Sequence, residues 1–134
     1  VKHVWINTRL MLADSLLMLG EVPAAYEAIR PVYDAPLSLA DRMKLLPIQL
    51  RYELAADYPV AAVQNLPEKL QIAELLDSPR AALVHALLAE ACRRSQMPEQ
   101  EAFLSKRAWL YHDLDQLTAR YPLISAIAAT HPAT

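Results

Sequence analysis

The sequence predicts an all-α domain, and three observations carry that expectation. Ala and Leu each occur 23 times among 134 residues, whereas Val, Ile and Thr together supply only 17. The first pair are strong helix formers, and the second group suits strands. A single Gly beside ten Pro leaves almost no supply of positive-φ positions for hairpin turns, phosphate loops or strained nucleophile turns. Apolar residues also recur at spacings of three and four along most of the chain. Together these exclude a β-sandwich, a dinucleotide-binding fold and a P-loop enzyme.

About seven helices follow in order, with proline as the punctuation. A helix over 3–19 is read from Ile6, Leu10, Ala13, Leu16, Leu17 and Gly20, which keep helical spacing. Pro23 opens a second helix, 23–33, because proline is tolerated in the first turn and costly deeper in; Pro31 should end it early. Ser38 with Asp41 forms a shortened capping box for a third, 38–56, which Pro47 should kink or split. Pro59 opens a fourth, 59–75, and Pro67 should divide it into two short pieces.

Asp77-Ser78-Pro79 is the strongest start signal, a capping side chain followed by proline, and it opens a fifth helix over 79–95. There Leu83, Leu87 and Ala91 adjoin Val84 and Leu88, so the helix is apolar around much of its girth and should lie buried between neighbours. Pro98 opens a sixth, 98–120, on which Glu99, Lys106, Asp113 and Arg120 recur every seven residues as a solvated stripe, with Trp109 at its border. Pro122 opens the last, 122–130.

Charge and cysteine content narrow the setting. Thirteen basic residues against fifteen acidic ones give a net charge of −2, without the broad positive field that nucleic acid requires. The single Cys92 has no partner for an internal disulfide, which fits a reducing, cytoplasmic setting. No apolar run approaches the roughly 18 residues of a membrane span. The opening Val1-Lys2-His3-Val4-Trp5 shows neither a leader pattern nor an initiator Met, so a fragment of a longer protein is expected.

An internal repeat is visible at the turns. Glu21-Val22-Pro23, Asp57-Tyr58-Pro59 and Gln96-Met97-Pro98 all read polar, apolar, proline, then helix, with prolines 36 and 39 residues apart. A two-helix unit of this length is the signature of a helical solenoid. In the first unit Leu12-Ala13, Leu16, Leu19-Gly20-Glu21-Val22, Ala25, Ile29 and Val32 resemble the tetratricopeptide repeat (TPR) family. Its pattern needs small residues where helices cross and Gly at the turn.

The second unit keeps Ile48, Tyr52, Ala56-Asp57-Tyr58 and Ala61 but has Ala56 in place of the turn Gly, Gln49 in place of the small residue and Asn65 at an apolar position. The third has Ser95 at the turn and Gln100 at the crossing. The resemblance implies antiparallel helix hairpins stacked as a short right-handed TPR-like solenoid. One domain would span 1–134, with units 5–37, 38–76 and 78–120 and a capping helix over 122–130.

Catalytic and metal-binding groupings are thin. His112 with Asp115 or Gln116 has the spacing of two ligands on one helix face, but no second pair accompanies it, and a solvated face is the plainer reading. His85 in the most apolar helix is either a base or pH sensor, or a core histidine with one hydrogen bond. Cys92 beside Arg93 and Arg94 is either an activated thiol or a small packed residue. Arg93, Arg94, Lys106, Arg107 and Arg120 are largely cancelled by interleaved acids. The expectation is a protein without catalytic residues, cofactor or metal.

The resemblance places a ligand groove on the first helix of each unit. Its matched positions are Asn7, Leu10, Asp14, Leu17 and Met18; then Met43, Leu46, Leu50, Glu53 and Leu54; then Ala82, His85, Ala89, Cys92 and Arg93. Some family members grip a C-terminal carboxylate with Lys, Arg and Asn at such places. Leu10, Met43 and Leu46 stand there instead, so that clamp is absent. Two readings of the resulting apolar stripe stand side by side: a groove for a partner, or simply core. The first makes the chain a non-enzymatic interaction scaffold. It would hold a protein or peptide, or a second copy of itself as a homodimer, through Asn7, Leu10, Asp14, Met18, Met43, Leu50, Glu53, His85 and Arg93. The alternative is a regulatory or sensory domain of a larger signalling or transcription-regulating protein.

Overall fold

A computed structural model describes residues 2–133, without the side chains of Lys2 and His3. His3, one of the four histidines, therefore has no described side chain, and the domain limits at Val1 and Thr134 fall outside the described residues. Among the described residues the regular structure is all helical, without strands. In chain order the helices are α1 (Lys2–Met18), α2 (Val22–Tyr33), α3 (Leu39–Ala55), α4 (Pro59–Val63), α5 (Leu66–Ala73), α6 (Ser78–Arg94), α7 (Pro98–Tyr111), α8 (Leu114–Thr118) and α9 (Ser125–Thr130), with a 3₁₀ turn at Pro122–Ile124.

Two starts follow their capping chemistry. Ser38 Oγ accepts from the Asp41 amide while the Asp41 carboxylate accepts from the Ser38 amide, both at 3.1 Å. Asp77 accepts from the Arg80 amide at 3.0 Å.

The prolines behave unequally. Pro67 divides the fourth helix as expected: α4 ends at Val63, Asn65 turns through the left-handed region (φ 55°), and Pro67 sits in the first turn of α5. Pro31, by contrast, does not end α2, which runs on to Tyr33. The bond it cannot donate would have gone to the Glu27 carbonyl four residues back, and Arg9 of α1 donates to that carbonyl instead, at 3.2 Å. Nor does Pro47 split α3, where it lies buried inside a continuous helix.

The single helix expected over 98–120 is two. His112 is extended (φ −165°, ψ 156°), and the Asp113 carboxylate accepts from the Asp115 amide at 2.9 Å to start α8. The break turns Leu114 inward, where it is fully buried. It also removes His112 from the helix that carries Asp115 and Gln116, so the two-ligand spacing on one face is lost.

Three helix ends share one construction. Gly20, Asp57 and Gln96 have φ of 76°, 63° and 58°. In each, the next amide donates five residues back: Glu21 to Leu16 O, Tyr58 to Glu53 O and Met97 to Cys92 O, at 2.7–2.9 Å. The positive-φ amide itself donates to Leu17, Leu54 and Arg93 O respectively. This is the Schellman closure, which satisfies the orphan carbonyls of a helix end. The counterparts of Gly20 are therefore Asp57 and Gln96, not Ala56 and Ser95.

In the main packing α1 lies on α2 and α3, α3 lies on α4, α5 and α6, and α6 lies on α4, α5, α7, α8 and the segment 122–130. Residues 81–92 of α6 are buried without interruption, as its all-round apolar pattern predicts. A large core surrounds α6, drawing Leu50 and Leu54 from α3, Leu104 from α7 and Ile124 and Ile127 from the C-terminal segment. A smaller one joins Ile6, Leu10, Ile29, Val32 and Leu45.

Candidate functional site

A cleft runs along one side of α1, α3 and α6, with residues 119–126 forming its opposite wall. Its two adjoining hollows, of about 700 and 410 Å³, share Arg51, Arg120 and Tyr121. From α1 come Asn7, Leu10, Met11, Asp14, Leu17 and Met18, at helical spacing on one face. From α3 come Lys44, Pro47, Ile48, Arg51 and Ala55, and from α6 Arg80, Leu83, Glu90, Arg93 and Arg94.

Cross-helix pairs fix the register of this wall. Lys44 Nζ donates to Asn7 Oδ1 at 3.1 Å, and Arg51 pairs with Asp14. Both pairs join residues 37 apart, the separation between the positive-φ residues Gly20 and Asp57. The groove positions expected from the sequence used an offset of 36, set by the prolines. Moving each by one residue turns Met43, Leu46, Leu50 and Leu54 into Lys44, Pro47, Arg51 and Ala55, which line the cleft, and turns Glu53 into the buried Leu54, which does not. The same correction in the third unit replaces Ala82, Ala89, Cys92 and Arg93 by Leu83, Glu90, Arg93 and Arg94.

The one-residue slip explains where the other expected residues lie. Leu50, Leu54, Ala82, His85, Ala89 and Cys92 are fully or almost fully buried, Leu46 is buried, and Met43 is half-buried against the large core. They are core in this structure rather than an open stripe. Leu10, though it borders one hollow, is also buried. Asn7, Asp14, Met18 and Arg93 do come together at the cleft, whereas Glu53 faces a different hollow.

His85 and Cys92 have the environments of packed residues. His85 Nδ1 donates to the Ala81 carbonyl at 2.7 Å, and the Tyr111 ring lies 5.0 Å from the imidazole. Burial holds the His85 pKa below its ordinary value, chiefly by desolvating the charged form. Burial likewise pushes the Cys92 thiol up to about 11, which opposes thiolate formation. Among the described residues no group of three or more His, Cys, Asp or Glu is placed to hold a metal ion.

The electrostatics of the cleft differ from those of the chain as a whole. Glu90, 1% exposed, accepts from Arg93 Nε at 2.8 Å and from Arg94 Nε at 2.6 Å, so one carboxylate faces two guanidiniums. Arg94 also donates to the Leu54 carbonyl at the end of α3, at 2.8 Å, and lies 3.7 Å from the exposed Asp57. Arg80 pairs with Asp77 at the rim. The Arg51 and Arg120 guanidiniums lie 5.0 and 5.4 Å from the centre of the Tyr121 ring. Among the described residues neither Lys44 nor Arg120 pairs with a carboxylate. Six of the thirteen basic residues thus line the cleft, against two of the fifteen acids, Asp14 and Glu90.

Arg51, Glu90, Arg94, Arg120 and Tyr121 were not among the residues singled out for the groove. The signal for Arg51 is its separation from Asp14, which equals the distance between two positive-φ turn residues. Tyr121 carries no such signal, because only the fold brings the C-terminal segment against α3. No family model, curated protein or solved structure matches this chain. No helix among the described residues is long and apolar enough to cross a membrane.

Proposed function

We propose that this chain is a non-enzymatic interaction module whose cleft holds an acidic, amphipathic peptide or helix. The observation that carries the proposal is the composition of the cleft wall. It combines an excess of cations with apolar side chains at the mouth, of which Met11 and Met18 are 71% and 47% exposed. An amphipathic helix with acids beside its apolar stripe complements both features. Methionine suits the role because its flexible thioether adapts to the side chain it meets. The mixture of apolar mouth and cations favours such a peptide over nucleic acid, which would want more charge and an aromatic stacking surface.

The three equivalent Schellman turns, the 37-residue pairing and the packing of α1 on α2 and of α6 on α7 support reading the hairpins as degenerate TPR-like repeats. One observation favours the regulatory alternative. Residues 119–126 form a wall of the same cleft, so an occupant that displaces Tyr121 from Arg51 would move the end of the domain.

The test is a fluorescence-anisotropy titration with three probes of similar length: a helical peptide of alternating acidic and apolar faces, its lysine-for-glutamate counterpart, and a single-stranded oligonucleotide. The acidic peptide should bind saturably and more weakly as salt rises. Equal binding of the basic peptide would overturn the reading, and preference for the oligonucleotide would replace it. A dimer in light scattering that ignores all three probes would assign the cleft to a second copy of the chain.

A further inference from the structure

Four of the six tyrosines gather on a different face of α3 from the cleft. Tyr26 and Tyr33 of α2, Tyr52 of α3, and Tyr58 just before α4 line an open hollow of about 900 Å³. Tyr26 and Tyr52 stack with ring centres 5.3 Å apart, and Tyr58 tilts towards Tyr52 at 6.4 Å. The two charged residues of the lining are both acids, Glu27 and Glu53.

Glu53 is the unusual member. It is 9% exposed; its Oε2 accepts from Gln49 at 3.4 Å, but its buried Oε1 has no hydrogen-bond partner among the described residues. A buried carboxylate oxygen without a donor costs free energy, and folded proteins rarely leave one unpaired. The nearest cations do not fill that need. Lys69 acts on Glu53 through its charge but directs its hydrogen bonds to the Ala61 and Ala62 carbonyls, and Arg30 pairs with the exposed Glu27 at the rim.

We infer that this hollow is a receptor for a guanidinium group, the side chain of an arginine presented by a partner peptide. A guanidinium is planar and weakly hydrated, so it packs flat against tyrosine rings. It also carries N–H donors that reach a carboxylate, which a quaternary ammonium lacks. The hollow supplies ring faces together with two acids, and an arginine that reached the Glu53 carboxylate would give its buried Oε1 a donor. The site is separate from the cleft, and its failure would leave the cleft reading standing.

The test is a heteronuclear NMR titration of the whole chain with N-acetyl-arginine amide, with N-acetyl-citrulline amide as the neutral probe of nearly the same shape. Free arginine is a third arm that separates a metabolite site from a peptide-borne one. The arginine amide should shift the amides of Tyr26, Tyr52, Glu53 and Tyr58 saturably, with citrulline binding weaker by roughly tenfold or more. Glu53→Gln should weaken arginine binding by a similar factor, and Tyr58→Leu, at a 55% exposed side chain, should weaken it severalfold without loss of fold. Tighter binding of free arginine than of the amide would assign the hollow to the amino acid and overturn the peptide-borne form. Equal binding of citrulline, shifts confined to other faces, or no saturable shift would overturn the inference altogether.

Discussion

Replacing Gln96 by glycine should make the domain more stable, and replacing Gly20 by alanine should make it less so. Both residues close a helix in the left-handed region, with φ of 58° and 76°. That region costs an L residue about 1–2 kcal/mol through the clash of its Cβ with the following carbonyl. At Gly20 an added Cβ meets nothing within 4 Å, so the backbone term acts alone. Alanine recovers about 0.4–1 kcal/mol by stiffening the unfolded chain, which leaves Gly20→Ala destabilised by about 1 kcal/mol. The same arithmetic runs backwards at Gln96, an exposed residue, where glycine relieves the left-handed cost and gains about 0.5–1 kcal/mol. In a domain of this size that is a rise in Tm of about 2–4 °C. Urea titration read by far-ultraviolet circular dichroism gives the free energies, and the m-value should not change. A stabilised Gly20→Ala together with a destabilised Gln96→Gly would refute the equivalence of the two turns, and with it the one-residue correction drawn from them.

Three further outcomes follow from the buried polar groups. Glu90→Ala removes the acceptor shared by Arg93 and Arg94; both arginines keep partial exposure, so the loss should be about 2–3 kcal/mol rather than that of a fully buried triad, measured by urea unfolding. His85 is held neutral by burial, so its folded pKa lies below the ordinary 6.5. Between those values the unfolded chain binds a proton that the folded one refuses, and stability falls as pH drops below about 6.5; His85→Leu should flatten that slope in urea titrations. Glu53 has the opposite sign. Burial raises its pKa, against the pull of Lys69 and Gln49, so the folded state binds more protons and loses stability as pH rises through the raised value. Thermal melts should show Glu53→Gln gaining on the wild type at neutral pH and losing that advantage in acid.

The helix content and most boundaries were legible because proline, capping side chains and apolar spacing act locally. Ser38 with Asp41 and Asp77 before Pro79 are complete signals within four residues. Pro31 was misleading because its remedy, Arg9, comes from another helix. The break at His112–Asp113 is carried by Asp113 as a cap and by the burial of Leu114, and only the second is non-local.

The candidate cleft was legible in outline, but its lining lies one residue away from the expected positions on α3 and α6. Proline follows the positive-φ residue by three positions at Gly20 and by two at Asp57 and Gln96, so aligning prolines slips the later helices by one. One residue is about 100° on a helix, enough to exchange Arg51 for Leu50 and Glu90 for Ala89. With glycine at only one of the three turns, composition alone does not mark the equivalent positions.

The cleft reading is tested most directly by two substitutions on opposite walls. Met18→Glu lies on α1 and Arg120→Glu beside the C-terminal segment, both at exposed residues, and circular dichroism should show helix content unchanged in each. Titrated with the acidic amphipathic peptide, each should bind at least roughly tenfold more weakly than the wild type. Wild-type affinity in both variants would place the peptide elsewhere and contradict the account.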